Sequence, residues 1–265
     1  MTAVRRVLAL DVGNTNVVMG IFENGKLLHS WRLHSNPELS LDEYLVLVQG
    51  MLFASRFKPD SIQSAVLSSV VPKLSRVFSG LVEQLIGVRP IVVSHELELG
   101  IRVNTDNPES VGHDRLVNAV AAYHTHRAAL VIIDFGTATT LDVVSSSGVF
   151  QGGIICPGLS ISAEALFSRA AQLYQVEIEE PRRLIGKNTI EAVKSGLFYG
   201  YSGMIESLIR RLERELKAQG EQHVVAVATG GLAVKLESSL PGVLREDDLT
   251  LQGLYLIHSM NLERS

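Results

Sequence analysis

The sequence predicts an α/β protein built twice over, and three observations carry that prediction. Short apolar runs alternate with longer amphipathic stretches from end to end. A buried strand running into Asp-x-Gly occurs once in each half, as Val7-Leu-Ala-Leu-Asp11-Val-Gly13 and Val131-Ile-Ile-Asp134-Phe-Gly136. A third landmark, the turn glycines Gly25 and Gly148, keeps the same offset as the Asp and Gly pairs, so the two halves are in register.

Taken in order, the first half offers strands at Val7 to Leu10, Val17 to Phe22, Leu27 to Leu33, Ser64 to Leu67 and Ile91 to Val93. Glu23-Asn-Gly25 sits where the second and third should turn as a hairpin. The second half repeats this with Leu130 to Ile133, Thr140 to Val144, Val149 to Ile155 and Val224 to Ala228, with Ser146-Ser-Gly148 as its hairpin. Helices are expected over Leu41 to Phe57, Lys73 to Ile86, Asp114 to His126, Ser160 to Leu173, Asn188 to Gln219 and Leu249 to Met260. Arg210, Arg211, Arg214 and Lys217 near Gly220 suit the negative end of the longest. No Pro/Ser-rich linker separates the halves, so the boundary is set at the Asp114 helix, giving domains 1–113 and 114–265.

A chain of 265 residues can form one or two domains, and 46% hydrophobic with 20% charged residues is an ordinary folded composition. The formal charge of −4 provides no general attraction for nucleic acid or an anionic membrane, and neither is expected as a partner. The single cysteine, Cys156, excludes an internal disulfide and a cysteine-held metal cluster, and fits a reducing cytoplasm. It reads as a small buried residue. After Arg5 and Arg6 the apolar run is cut at Asp11, too short for a leader or a membrane span.

Asp11-Val12-Gly13-Asn14-Thr15-Asn16 and Asp134-Phe-Gly136-Thr137-Ala-Thr-Thr140 are tight turns between strands. Glycine lets backbone approach a ligand, while Thr and Asn supply donors for phosphate oxygens. Two such turns facing across a cleft would clamp a polyphosphate, and their aspartates would call for cations beside it. Gly186-Lys-Asn-Thr189 resembles the tail of a P-loop, but Pro181 stands where its first glycine belongs and Asn188 where Ser/Thr belongs. Gly112-His113-Asp114-Arg115 opens a helix. Its carboxylate can take a hydroxyl proton and its guanidinium can hold an acidic substrate or a phosphate, although an acid there also serves as an ordinary cap. His124 and His126, two apart on one helix, point to different faces and make no metal site. Thr229-Gly-Gly231 would let backbone lie flat against a planar base.

In this order the motifs resemble the type III pantothenate kinases of the acetate and sugar kinase, Hsp70 and actin superfamily. The match includes Asp11 to Asn16, Ser68-Ser-Val-Val-Pro72, Asn107-Pro108, Val111 to Arg115, Asp134 to Thr140, Gly152-Gly153, Pro157-Gly158, Ile185 to Thr189, Thr229 to Ala233 and Leu249 to Leu254. The resemblance implies a duplicated actin-like, ribonuclease H-like fold with two mixed-sheet domains flanking a nucleotide cleft. It further implies ATP-dependent phosphorylation of the 4′-hydroxyl of pantothenate, the first step of coenzyme A synthesis. Asp11, Val12, Gly13, Asn14, Thr15, Asn16, Val17 and Val18 would form the first phosphate loop, with Asp11 near magnesium, and Thr137 would contact ATP in the second. Asp114 would be the general base, with Gly112, His113, Arg115 and Thr189 around pantothenate. Asp134 would hold a monovalent cation, potassium or ammonium, and the family is typically a cytoplasmic homodimer.

Two positions depart from the family pattern. Thr105 stands where a tyrosine is usual, seven residues before Gly112, and His113 replaces a small residue. Without the resemblance, the residues leave open a kinase for another small molecule, a phosphatase, or a non-catalytic regulatory relative.

Overall fold

The structure, a computed structural model, describes residues 5–169 and 176–262. The chain falls into two units. Unit 1 holds the residues up to Ile101, Asp106–Ala121, and the stretch from Asp248 on; unit 2 holds Arg102–Thr105 and Ala122–Asp247.

In unit 1 a five-stranded sheet runs in the order β3-β2-β1-β4-β5. Its strands are β1 (Arg6–Val12), β2 (Asn16–Glu23), β3 (Lys26–His34), β4 (Ser64–Ser69) and β5 (Ile91–Val92). The centre of β1 is buried on both faces, which is why it reads as an unbroken apolar run rather than an alternation. β1 pairs antiparallel with β2 and parallel with β4. The β2–β3 hairpin turns at Asn24 (φ 49°) and Gly25 (φ 90°), the left-handed pair that such a turn requires.

Helix α1 (Leu41–Ala54) starts on a reciprocal cap between Ser40 and Glu43. Helix α2 (Pro72–Ile86) has proline in its first turn and ends at Gly87 (φ 74°), whose N–H bonds the Glu83 carbonyl at 3.0 Å. The core of the unit joins Leu10, Met19, Tyr44, Leu67 and Phe78.

In unit 2 a six-stranded sheet has the order β11-β10-β7-β8-β9-β6. Its strands are β6 (Arg102–Val103), β7 (Ala129–Phe135), β8 (Ala138–Val144), β9 (Val149–Pro157), β10 (Val224–Thr229) and β11 (Leu244–Arg245). Apart from the edge strand β6, the order β9-β8-β7-β10-β11 repeats β3-β2-β1-β4-β5 element for element. Helices α4 (Leu159–Arg169), α5 (Thr189–Ala218) and the single turn α6 (Ala233–Leu236) complete the unit. Its core joins Phe135, Leu141, Phe198, Ile205 and Leu236.

The expected strands and helices are present within a few residues of their bounds. Residues 170–173 of the expected Ser160 to Leu173 helix lie outside the described residues. The expected division at 113/114 differs from the contact pattern. Helix α3 (His113–His126) opens in unit 1 and ends in unit 2, and α7 (Leu249–Asn261) returns to unit 1. The cause is packing. α7 lies against β1 and β4, Gly253 brings it onto the Val117 backbone of α3, and Thr250 Oγ1 donates to Asn118 Oδ1 at 2.7 Å. Cys156 is half-buried rather than fully buried, because β9 exposes alternate residues.

Candidate active site

The first turn comprises Gly13 to Asn16, between the register pair Val12 and Val17. The Gly13 N–H bonds the Asn16 carbonyl at 2.9 Å, and a Cβ at Gly13 would lie 3.1 Å from that oxygen, so glycine keeps the turn tight. From outside, Ser35 clamps it: its hydroxyl donates to the Gly13 carbonyl at 2.6 Å and its N–H bonds the Thr15 carbonyl at 2.9 Å. Asn14 and Thr15 are exposed at the tip, while Val17 is buried and Val18 partly so.

Asp11 lies half-buried next to the last residue of β1, in register with Val18 on one side and Ser68 on the other. The Ser68 hydroxyl is buried with no hydrogen-bond partner among the described residues. A carboxylate beside an orphaned hydroxyl is a donor set that suits magnesium, which binds through one or two carboxylates and takes its remaining ligands from water and phosphate. Among the described residues no group of three or more His, Cys, Asp or Glu could hold a metal ion by itself.

The opening of α3 comes to the same end of the sheet, because the His113 imidazole bonds the Ser69 backbone at the last residue of β4. Asp114 is half-buried, and its Oδ1 accepts from the Arg115 N–H at 2.9 Å. A Cβ at Gly112 would lie 2.5 Å from that oxygen, so the glycine leaves the carboxylate its position. His113 also packs on His95, ring centres 5.0 Å apart. Burial, then His95, hold His113 below the ordinary histidine value, against the opposing pull of Asp114 and the Ser69 backbone. In unit 1 the structure therefore groups Asp11, the Gly13 to Asn16 turn, and the segment Gly112 to Arg115 around the carboxyl ends of β1 and β4.

In unit 2 the second turn is one residue shorter, Gly136 to Ala138, between Phe135 and Thr139. Thr137 is exposed at its tip. Asp134 is in register with Thr140 and Thr229, as Asp11 is with Val18 and Ser68. Gly230, at φ 93°, closes over it: a Cβ there would lie 2.6 Å from Asp134 Oδ1. Gly158 presses on the carbonyls of Gly136 and Thr137, where any Cβ would collide. From beneath, Tyr201 donates its buried hydroxyl to Thr139 Oγ1 at 2.6 Å. The Asp134 carboxylate at this strand end is the group that could hold a cation in unit 2.

Thr105 and Thr189 stand apart from this turn. Thr105 follows the edge strand β6, with β8 and β9 between it and β7; its Oγ1 is buried without a partner among the described residues, beside Gly152. Thr189 is exposed at the first position of α5, which Asn188 caps by accepting the Glu191 N–H at 2.9 Å. The P-loop-like Gly186 to Thr189 is thus a helix start. Sequence reasoning missed His95, Ser68 and Tyr201 as neighbours of the turns; Ser68 alone had a signal, its place in the Ser68 to Pro72 motif.

The family described as type III pantothenate kinase matches residues 7–211. A type III pantothenate kinase of Myxococcus xanthus is 42% identical over 256 residues, covering 96% of this chain and 98% of the relative. Among solved structures, a Campylobacter jejuni protein described as a Baf family transcriptional activator superposes with a TM-score of 0.59 at 19% identity, over 97% of this chain and 99% of that one. The polyphosphate/ATP-glucomannokinase of an Arthrobacter strain superposes with a TM-score of 0.51 at 12% identity, over 98% of this chain and 99% of that one. These structural likenesses bear on the fold, the duplicated actin-like arrangement of two mixed sheets, whereas the sequence match spans almost every residue discussed above. The chain belongs to the type III pantothenate kinase family.

Proposed function

We propose that the chain transfers the γ-phosphoryl group of ATP to the 4′-hydroxyl of pantothenate, the first step of coenzyme A biosynthesis, with Asp114 as general base. The observation that carries this reading is the grouping of Asp11, the Gly13 to Asn16 turn and Asp114 at one end of the unit 1 sheet, in a chain matching the family over residues 7–211. The acceptor oxygen attacks the γ-phosphorus, its proton passes to the Asp114 carboxylate, and ADP leaves. Phosphoryl transfer asks little covalent chemistry of the protein, so positioning and charge neutralisation do most of the work.

Residues Asp11 to Val18 hold phosphates of ATP through turn N–H groups and the side chains of Asn14, Thr15 and Asn16, and Thr137 is a further ATP-binding residue. Magnesium at Asp11, when bound, neutralises charge on the transferring phosphoryl group. Asp134 holds potassium or ammonium. Arg115 holds the pantothenate carboxylate, and Gly112, His113, Thr105 and Thr189 shape the acceptor site.

A cytoplasmic homodimer is the assembly we infer. Unit 2 leaves Ile155, Leu184, Ile185 and Ile190 at least half exposed, apolar surface that a second copy would cover. No helix among the described residues is long and apolar enough to cross a membrane. The test is to supply ATP, magnesium, potassium and pantothenate and to follow the products by mass spectrometry. One phosphopantothenate per ADP is the expected result; ADP release that ignores pantothenate would reassign the acceptor.

A further inference from the structure

The function above gives His113 only a place near the acceptor, and gives His95 none. His113 is the first residue of α3, directly before Asp114. Its imidazole is half-buried, and it turns to the protein's own groups: the Ser69 backbone at the end of β4, and the His95 ring at 5.0 Å with a 50° tilt. His95 backs it with a buried Nε2 that has no partner among the described residues. Carboxylate and strand end are therefore joined by one side chain, since Asp114 sits on the turn that His113 fastens to β4, and β4 lies beside Asp11 through Ser68.

We propose that His113, backed by His95, is a positioning residue for Asp114, fixing the first turn of α3 to the end of β4 so that the base keeps its place relative to the phosphate turn. This rests on Asp114 being the base. A neutral ring suits that role, because it donates one hydrogen bond to the strand end without setting a cation against the carboxylate, and burial beside His95 keeps it neutral. A base displaced by a fraction of an ångström loses much of its rate while nucleotide binding, made elsewhere on the turn, is untouched.

The test measures kcat and the KM for ATP in His113→Ala, His113→Asn and His113→Gln, alone and combined with Asp114→Asn. Removing the ring is expected to lower kcat by about tenfold with the KM for ATP held within about twofold. An amide at one of the two reaches should restore most of the loss, because it returns a neutral donor to the Ser69 backbone. In the Asp114→Asn background, His113→Ala should cost nothing further, since residues acting as a unit are not additive. If His113→Ala does not fold, His113→Leu carries the same comparison with the ring's bulk kept. Unchanged kcat, failure of both amides to rescue, or a full extra loss on top of Asp114→Asn would overturn the proposal. Near wild-type turnover in Asp114→Asn alone would instead remove the base assignment, and is read separately.

Discussion

The carboxylate of Asp114 has one oxygen, Oδ1, accepting from the Arg115 N–H, and the proposed reaction asks the same carboxylate to take the substrate proton. Asparagine preserves that backbone bond and deletes the basicity. Asp114→Asn is therefore expected to bind ATP nearly as well as the wild type, by calorimetry, while turnover falls by about a hundredfold or more. Asp134 makes the complementary case, with Gly230 and the Phe135 backbone packed close to its carboxylate. Replacing potassium by sodium at constant ionic strength should raise the KM for ATP. Asp134→Asn should abolish that response with the thermal midpoint little changed; a normal potassium response in the variant would return Asp134 to a structural turn.

At the scale of elements, the sequence was legible wherever periodicity or turn chemistry had room to act. Long apolar runs such as Val7 to Leu10 gave their strands, and Asn24-Gly25 gave its hairpin. The two-residue strands Arg102–Val103 and Leu244–Arg245 were not expected, because two residues carry no period and neither pair is an all-apolar run as Ile91–Val92 is. The return of α7 to unit 1 was equally hidden: its contact with α3 is a close approach at Gly253, and nothing local distinguishes that glycine from the others. His95 and His113 lie on a loop and on a helix, far enough apart that only the fold brings the rings together. Turn glycines are open to test. Gly230→Ala places a Cβ against Asp134 and the Phe135 backbone at a left-handed φ, and is expected to cost about 1–3 kcal/mol and raise the KM for ATP. Gly50→Ala, in exposed helix with nothing within 4 Å, should stabilise by about 0.5–1 kcal/mol and leave the KM unchanged. Equal effects on the KM would detach Gly230 from nucleotide binding.

For the whole molecule, the duplication explains why matching strand ends carry aspartates, but the copies diverge in what covers the sheets, and α7 is the clearest instance. It brings His258 into the interior of unit 1, 1% exposed, with neither ring nitrogen partnered among the described residues. Burial holds His258 below its ordinary value of 6.5. The unfolded chain therefore binds the proton more readily than the folded one. Stability should be level above about pH 6.5 and fall as the pH drops through the window between the unfolded and the lower folded value. His113 shifts in the same direction, so the wild-type curve alone does not isolate His258. His258→Leu does: it removes two orphaned polar atoms from an apolar surrounding, which costs little at neutral pH and can stabilise. The variant is expected to gain on the wild type as the pH falls below 6.5, measured by denaturant unfolding from pH 8 to pH 5. Curves that run parallel across that range would show that His258 keeps an ordinary titration in the folded protein, with water reaching its ring from within the packed face of α7.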